Sequence, residues 1–216
     1  MRTRTVVILL LLIPLFACAL TVAILGRPPA GGTRGALTAT GQERTYLLYV
    51  PETYDPASPT PLVISIHGFA SWPANQMEVS QWNELADAHG FIVAYPSGTG
   101  FPKRWNAGGL AGEDAVDDVA FLSNLIDVLS QQYAIDPARI YVNGLSNGGG
   151  MTNLLACRLA ERIAAMGGVA GAYTDPAGGC QPAPPAPVID FHGTADRIVP
   201  YDGGAAGPNI AFPAVP

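Results

Sequence analysis

Residues 139–150 read RIYVNGLSNGGG, and this stretch decides the fold. Its first five residues form a short run containing Ile, Tyr and Val, which predicts a buried strand. A Gly-x-Ser-x-Gly pattern follows at 144–148, and a helix is predicted over 147–159. A strand that turns into a helix at such a serine forms a nucleophile elbow, where the turn lifts the hydroxyl out of the sheet. We therefore predict that Ser146 is a nucleophile.

The glycines around Ser146 fit this interpretation. Such a turn is strained and neighbouring backbone crowds it, so positions 144 and 148 need residues without a side chain. The alternative is a glycine-rich turn whose serine only caps the following helix. The strand before the serine and the helix after it favour the nucleophile.

Short β-rich runs alternate with helical ones along the rest of the chain. Strands are predicted at 44–50, 61–66, 91–95, 139–143, 165–170 and 188–191, and helices at 77–89, 114–133 and 147–159. This alternation predicts an α/β fold with a doubly wound, mostly parallel sheet. Asp114, Asp117 and Asp118 begin the second helix, where the helix dipole favours negative charge. We prefer that role to a metal site, and no metal or organic cofactor is implied.

Two further motifs follow strands. His67-Gly68-Phe69 comes directly after the strand predicted at 61–66. In a fold with a nucleophile elbow, the loop after an early strand and the residue after the nucleophile each donate one backbone N–H to an oxyanion hole. We therefore predict that the amides of Phe69 and Asn147 form this hole. His67 precedes the serine at a strand end, which favours a structural role.

Asp196 follows the late strand at 188–191, in the run FHGTAD. A carboxylate in this place, after the serine in chain order, is where the acid of a Ser–Asp–His triad belongs. An aspartate of an Asx-turn is the alternative. Asp190 lies inside the strand and Asp175 in a loop, so both are weaker candidates.

These motifs together resemble the polyhydroxybutyrate depolymerase and feruloyl esterase-like family of α/β-hydrolases, from roughly residue 38 onward. The segments that carry the resemblance are 67–69, 91–98, Trp105-Asn106, 116–122, 144–150 and 191–204. The resemblance implies a serine esterase acting on hydroxyalkanoate or feruloyl-type esters, with Ser146 as nucleophile and Asp196 as acid. It also implies that Trp105 and the segment 199–201 lie near the site.

The chain departs from this family at the general base, which is a histidine well beyond the acid. His67, His89 and His192 are the histidines of the sequence, and all precede Asp196. We expect the hydrolase domain, 38–216, to lack the last strand, the last helix and the catalytic histidine. The chain is therefore expected to be inactive as an esterase; a non-catalytic hydrolase-like binding module or a gene fragment is the alternative.

The N-terminus predicts export. Two arginines precede an apolar run at 6–25, and a short linker is predicted at 27–37. Residues 1–26 are either a signal peptide cleaved after Ala17-Cys18-Ala19 or a membrane anchor. A lipoprotein signal at 15–18 is the weaker third possibility. Each places the domain outside the cytoplasm, in the cell envelope or the medium.

Export makes the cysteines informative. If Cys18 is removed or lipidated, Cys157 and Cys180 remain as a pair, and an oxidising compartment favours a disulfide over two buried free thiols. Net charge is −6 and Lys103 is the single lysine, so no basic surface could neutralise a row of phosphates. The expected partner is an ester substrate rather than nucleic acid.

Overall fold

The structure, a computed structural model, describes residues 31–108, 116–174, 179–181, 185–207 and 210–215. The strands in this part of the chain are β1 (Thr33–Ala39), β2 (Gln42–Tyr49), β3 (Thr60–Ile66), β4 (Ile92–Pro96), β5 (Ile135–Leu145), β6 (Ala165–Val169), β7 (Val188–Phe191), β8 (Gly204–Gly207) and β9 (Ile210–Phe212). The helices are α1 (Pro73–Ser80), α2 (Trp82–His89), α3 (Asp118–Gln132) and α4 (Asn147–Arg158), followed by a 3₁₀ turn at Ala160–Arg162.

Seven strands form one sheet in the order β1-β2-β4-β3-β5-β6-β7, and β8 pairs with β9 in a separate hairpin. Strands β4, β3, β5, β6 and β7 run parallel, while β1 and β2 are antiparallel to their neighbours. The predicted α/β fold with a mostly parallel sheet is confirmed. Because parallel strands end at the same edge, the loops after β3, β4, β5, β6 and β7 gather there.

Three local features differ from the sequence prediction. Strand β1 occupies part of 27–37, predicted as a linker, because it pairs along its whole length with β2. The single helix predicted at 77–89 is two helices, since Gln81 between them has a left-handed backbone with φ 54°. The hairpin of β8 and β9 was not signalled by the alanine- and glycine-rich sequence that forms it.

Each face of the sheet carries its own apolar core. On one face, Leu62 and Ile64 of β3 pack with side chains of α3 and α4 such as Leu125 and Met151. On the other face, the intervening Val63 packs with residues of α1 and α2. Side chains that alternate between two covered faces explain why β3 and β4 are mainly apolar.

The sheet is less completely covered toward β7. Val188, Ile189 and Phe191 are 60%, 58% and 59% exposed, although a strand normally buries one face. A cavity of about 430 Å³ lies between α2 and this part of the sheet, with Trp82 on one side and Ile189 on the other. Strand β7 pairs with β6 along one edge, and its other edge has no strand beside it among the described residues. Strand β7 therefore carries an exposed apolar surface in the described part of the chain.

The predicted disulfide between Cys157 and Cys180 is confirmed, with Cα atoms 5.2 Å apart. It ties α4 to the short segment 179–181. The apolar run at 6–25 lies outside the described residues. Within the described ranges, no helix has the length and apolar character needed to cross a membrane.

Candidate active site

Ser146 lies at the turn between β5 and α4, with φ 55° and ψ −119°. A non-glycine residue in this region is strained, and such strain is found at functional sites where the surrounding structure enforces it. The Ser146 N–H donates to Val169 O at 2.9 Å, and the Ser146 carbonyl accepts from the N–H groups of Gly150 and Ala172 at 3.0 and 2.9 Å. These bonds hold the turn from both sides.

The glycines of the motif are required by contact. A Cβ on Gly144 would collide with the backbone of Gly148, and a Cβ on Gly148 would collide with the carbonyl oxygens of Ile66 and His67. The elbow is therefore packed directly against the end of β3. The contacts explain the glycine spacing that the sequence shows.

The loop after β3 passes beside the serine. A Cβ on Gly68 would lie 3.6 Å from the Ser146 Cβ and 3.3 Å from Leu145 O. Asn147 is the first residue of α4, so its N–H has no acceptor within the helix and lies at the positive end of the helix dipole. The structure thus places Gly68 beside Ser146 and Asn147, and the oxyanion role of the Phe69 and Asn147 amides stays a prediction.

His67 is fully buried, and both of its ring nitrogens are occupied. Nδ1 donates to Gly68 O at 2.7 Å, and Nε2 accepts from the Gly98 N–H at 3.0 Å. Burial is the main cause that lowers the pKa of His67 from 6.5 to about 4. The neutral ring therefore clamps the loop after β3 to the loop after β4, which is a structural role.

We expect His67 to make stability depend on pH below neutrality. Its folded pKa of about 4 lies below the unfolded value of 6.5, so the unfolded state binds the extra proton first and stability falls as pH falls. The shift corresponds to a loss of about 2 kcal/mol between pH 7 and pH 5. Urea unfolding at both pH values measures it.

The control for this prediction is His67→Gln, which keeps an acceptor for Gly98 and has no charge to gain. The variant should be less stable than the parent at pH 7, but its loss between pH 7 and pH 5 should be smaller by about 2 kcal/mol. Equal losses in the two proteins would contradict the assignment of this pH dependence to His67.

Asp196 begins a turn after β7. Its Oδ1 accepts from the N–H groups of Ile198 and Val199 at 2.8 and 3.0 Å. The Val199 amide, followed by the Ile198 amide, lowers the pKa of Asp196 below its ordinary value, so the group is a carboxylate at neutral pH. The Asx-turn considered from sequence is therefore present. The other carboxylate oxygen, Asp196 Oδ2, lies 3.5 Å from His192 Nε2.

His192 lies beside both Asp190 and Asp196. Its side chain is 1% exposed, and Nε2 donates to Val199 O at 2.8 Å. Its Nδ1 lies 3.9 Å from Asp190 Oδ2. Asp190 in turn accepts from the hydroxyl of Tyr173 at 2.6 Å, and burial, followed by this hydrogen bond, raises the pKa of Tyr173. No hydrogen bond links Asp196 or His192 to Ser146 within the described ranges.

The acidic residues at the start of α3 have roles beyond the helix dipole. Asp117 caps the helix by accepting from the Ala120 N–H at 2.9 Å. Asp118 is buried and pairs with Arg44 of β2 at 2.6 Å, which the sequence prediction missed. Arg44 follows Gln42 and Glu43 in the polar first half of β2, and its partner is 74 residues away, so no local pattern signalled the pair. In the described part of the chain, no three His, Cys, Asp or Glu residues are placed to hold a metal ion.

Asn147 has a side-chain function that the sequence did not reveal. Its Oδ1 accepts from the Trp105 N–H at 2.7 Å and its Nδ2 donates to Trp105 O at 3.2 Å. The Trp105 indole N–H donates to His67 O at 2.9 Å. Trp105 therefore lies between the loop after β3 and the start of α4, close to the site as the family resemblance implied.

Comparison with known proteins identifies relatives that are carboxylic ester hydrolases. "Feruloyl esterase B" from Piromyces equi is 35% identical over 74% of this chain and 31% of its own length. "Bifunctional acetylxylan esterase/xylanase XynS20E" from Neocallimastix patriciarum is 33% identical over 74% of this chain and 22% of its own. The chain thus spans less than a third of the length of these two relatives.

Solved structures support the fold. "Crystal Structure of a Thermostable Esterase" matches with a TM-score of 0.60 at 23% identity, covering 80% of this chain and 49% of the other. "Acetyl xylan esterase from Aspergillus awamori" matches with a TM-score of 0.56 at 22% identity, over 66% of this chain and 53% of the other. The family model described as "Esterase PHB depolymerase" matches residues 44–183. With this match and the esterase relatives, the chain belongs to the Esterase PHB depolymerase family of α/β-hydrolases.

Proposed function

We propose that this domain carries the acyl-transfer site of a serine esterase. Ser146 attacks the carbonyl carbon of a carboxylic ester, and the alcohol leaves from a tetrahedral intermediate to give an acyl-enzyme, which water then hydrolyses. The amides of Phe69 and Asn147 stabilise the oxyanion. Asp196 orients the histidine that would shuttle the proton.

The observation that carries this proposal is the strained turn of Ser146 beside the loop after β3. A Cβ on Gly68 would lie 3.6 Å from the Ser146 Cβ, and this close approach supports the proposal that the amides of Phe69 and Asn147 serve as the oxyanion donors. The relatives named as feruloyl and acetylxylan esterases support ester hydrolysis, and the family description supports hydroxyalkanoate esters. We propose one of these aromatic or polyester substrates, and an export route that fits the Cys157–Cys180 disulfide.

A second candidate is a hydrolase-like module without catalytic turnover. It is favoured by the state of the histidines, since both ring nitrogens of His67 are occupied and His192 donates to Val199 O. We propose that the 216 residues alone lack the general base and are therefore nearly inactive. The acyl-transfer site can still be tested without the base.

The test replaces the hydroxyl with a better nucleophile. In Ser146→Cys, the thiol lies at the N-terminus of α4, where the dipole favours the thiolate, and a thiolate attacks activated esters without a base. We expect p-nitrophenyl esters to acylate position 146 with one equivalent of nitrophenolate released. Intact mass and peptide mapping identify the acyl group, and a comparison of feruloyl with 3-hydroxybutyryl esters ranks the acyl classes.

The matched control is Ser130→Cys, at an exposed position on α3 away from the elbow. Its thiol has no oxyanion donors, so acylation at 146 should be at least about 10²-fold faster, the contribution expected of an oxyanion hole. Equal acylation rates at the two positions would contradict an esterase site and favour the module without turnover.

A further inference from the structure

A buried ion pair is connected to the candidate site through hydrogen bonds. Arg44 on β2 and Asp118 at the start of α3 are 2.6 Å apart, with side chains 2% and 0% exposed. The guanidinium also lies 4.0 Å from the ring centroid of Phe121. Isolating two charges from water costs several kcal/mol per ion, and well-packed apolar residues are often as stabilising. Stability alone therefore does not explain the pair, and its hydrogen bonds indicate what it positions.

Arg44 supports the loop after β4. Its Nη2 donates to Ser97 O at 3.1 Å. The next residue, Gly98, donates its N–H to His67 Nε2 at 3.0 Å, and His67 Nδ1 donates to Gly68 O at 2.7 Å. This branch ends at the peptide between Gly68 and Phe69, which contains the first predicted oxyanion amide.

Asp118 supports a later part of the same loop. Its Oδ2 accepts from the Asn106 N–H at 2.7 Å, which fixes the backbone next to Trp105. The Trp105 backbone exchanges two hydrogen bonds with the Asn147 side chain, at 2.7 and 3.2 Å. This second branch ends at the residue that carries the second predicted oxyanion amide.

A hydrogen bond between Trp105 and His67 joins the two branches. The indole N–H of Trp105 donates to His67 O at 2.9 Å, so a shift of either branch is transmitted to the other. The ring of Trp105 stacks on Phe121 with centroids 6.5 Å apart, and Phe121 also contacts Arg44. Within this network, one ion pair holds two parts of the loop between β4 and α3, of which one is bonded to His67 after β3 and the other to Asn147 at the start of α4.

We propose that the Arg44–Asp118 ion pair is a positioning element that sets the spacing between the two oxyanion amides, at Phe69 and Asn147. The proposal rests on the acyl-transfer function proposed above. Neither Arg44 nor Asp118 contacts the substrate; each acts through the backbone that it holds. Displacement of an oxyanion donor by about 1 Å can cost about 10²-fold in rate.

The experiment compares two reactions of one thiol. In the Ser146→Cys protein, acylation by a p-nitrophenyl ester forms an oxyanion, whereas alkylation by iodoacetamide displaces iodide and forms none. The ratio of the two rate constants therefore reports on the oxyanion hole and cancels changes in exposure or thiol pKa. A purely structural effect would move both rates together.

We expect Asp118→Asn to lower the ratio by about 10- to 100-fold, because the neutral amide weakens the bond to Arg44 and to the Asn106 N–H. Asn147→Ala, which breaks the second branch alone, should lower the ratio in the same direction. Arg44→Lys keeps the charge but cannot bind Ser97 O and Asp118 in the same geometry, so it should give an intermediate ratio. The control is Asp127→Asn, which removes the partly exposed pair with Arg162 and should leave the ratio unchanged.

The outcomes separate the two proposals. If Ser146→Cys is acylated no faster than Ser130→Cys, the esterase function fails. If it is acylated faster, the second proposal is tested by the ratio of the acylation rate to the alkylation rate. The positioning role fails if Asp118→Asn and Asn147→Ala leave this ratio unchanged, including the case in which both rates fall equally. Should Asp118→Asn not fold cooperatively in urea, Asn147→Ala and Arg44→Lys decide, since they leave the Asp118 carboxylate paired or bound to Asn106.

Discussion

Turnover of p-nitrophenyl esters by the 216-residue chain should be about 10⁶-fold slower than by an esterase with a complete triad, since loss of the triad histidine typically costs this factor. Without a base, the hydroxyl of Ser146 stays neutral and is a poor nucleophile. The remaining rate comes from the oxyanion hole and from binding, which contribute much less than the triad.

The geometry of the described histidines underlies this expectation. A base must reach the serine with a free lone pair and be oriented by its own partner. His67 uses both ring nitrogens in the clamp between Gly68 and Gly98. His192 is buried, with its Nε2 bonded to Val199 O. His89 ends α2 and lies before the start of β4, whereas the loop at residue 98 follows the end of β4.

Added imidazole provides the measurement. A small base that diffuses to the elbow should raise the rate of the parent chain above the rate of the same imidazole solution without protein, and Ser146→Ala should abolish that increase. A parent chain that turns over at ordinary esterase rates without imidazole, and loses this rate in Ser146→Ala, would contradict the prediction. His192→Ala and His89→Ala would then identify the residue that acts as base.

The strand, turn and helix around Ser146 were predictable because their signals are local. The glycine spacing follows from contacts within a few residues of the elbow and with one adjacent strand. The apolar runs follow from burial of the strands in the sheet. Six of the strands of the sheet were located this way. The disulfide also followed from simple counting, since the expectation of export left Cys157 and Cys180 as a pair.

The polar network below the site was not predictable, because its partners are far apart in sequence. Nothing near Arg44 indicates that its charge meets Asp118 across 74 residues. The break at Gln81 was missed because the left-handed conformation of one residue has no strong sequence signal unless glycine is present. Strand β1 was missed because an edge strand with few apolar residues is defined by its pairing with β2 rather than by its own pattern.

Gly148→Ala should destabilise the fold by about 3 kcal/mol, at the upper end of the cost of overpacking. Local preference argues for the opposite result, since Gly148 lies in the first turn of α4 and alanine favours a helix by about 1 kcal/mol over glycine. Contact decides, because the new Cβ would collide with the carbonyl oxygens of Ile66 and His67. Both are backbone atoms of a fully packed strand end, so neither can move aside as a flexible side chain would.

The matched control is Gly193→Ala, where an added Cβ has no neighbour within 4 Å and the backbone φ is not in the left-handed region. It should change stability by less than about 0.5 kcal/mol, as surface substitutions usually do. Urea unfolding should therefore show a midpoint about 1.5 M lower for Gly148→Ala, at slopes near 2 kcal/mol/M, and a nearly unchanged midpoint for Gly193→Ala. Since the collision also separates α4 from the loop after β3, acylation of Ser146→Cys should fall in the same variant. A stable Gly148→Ala protein with full acylation would show that the elbow does not pack against β3 as described.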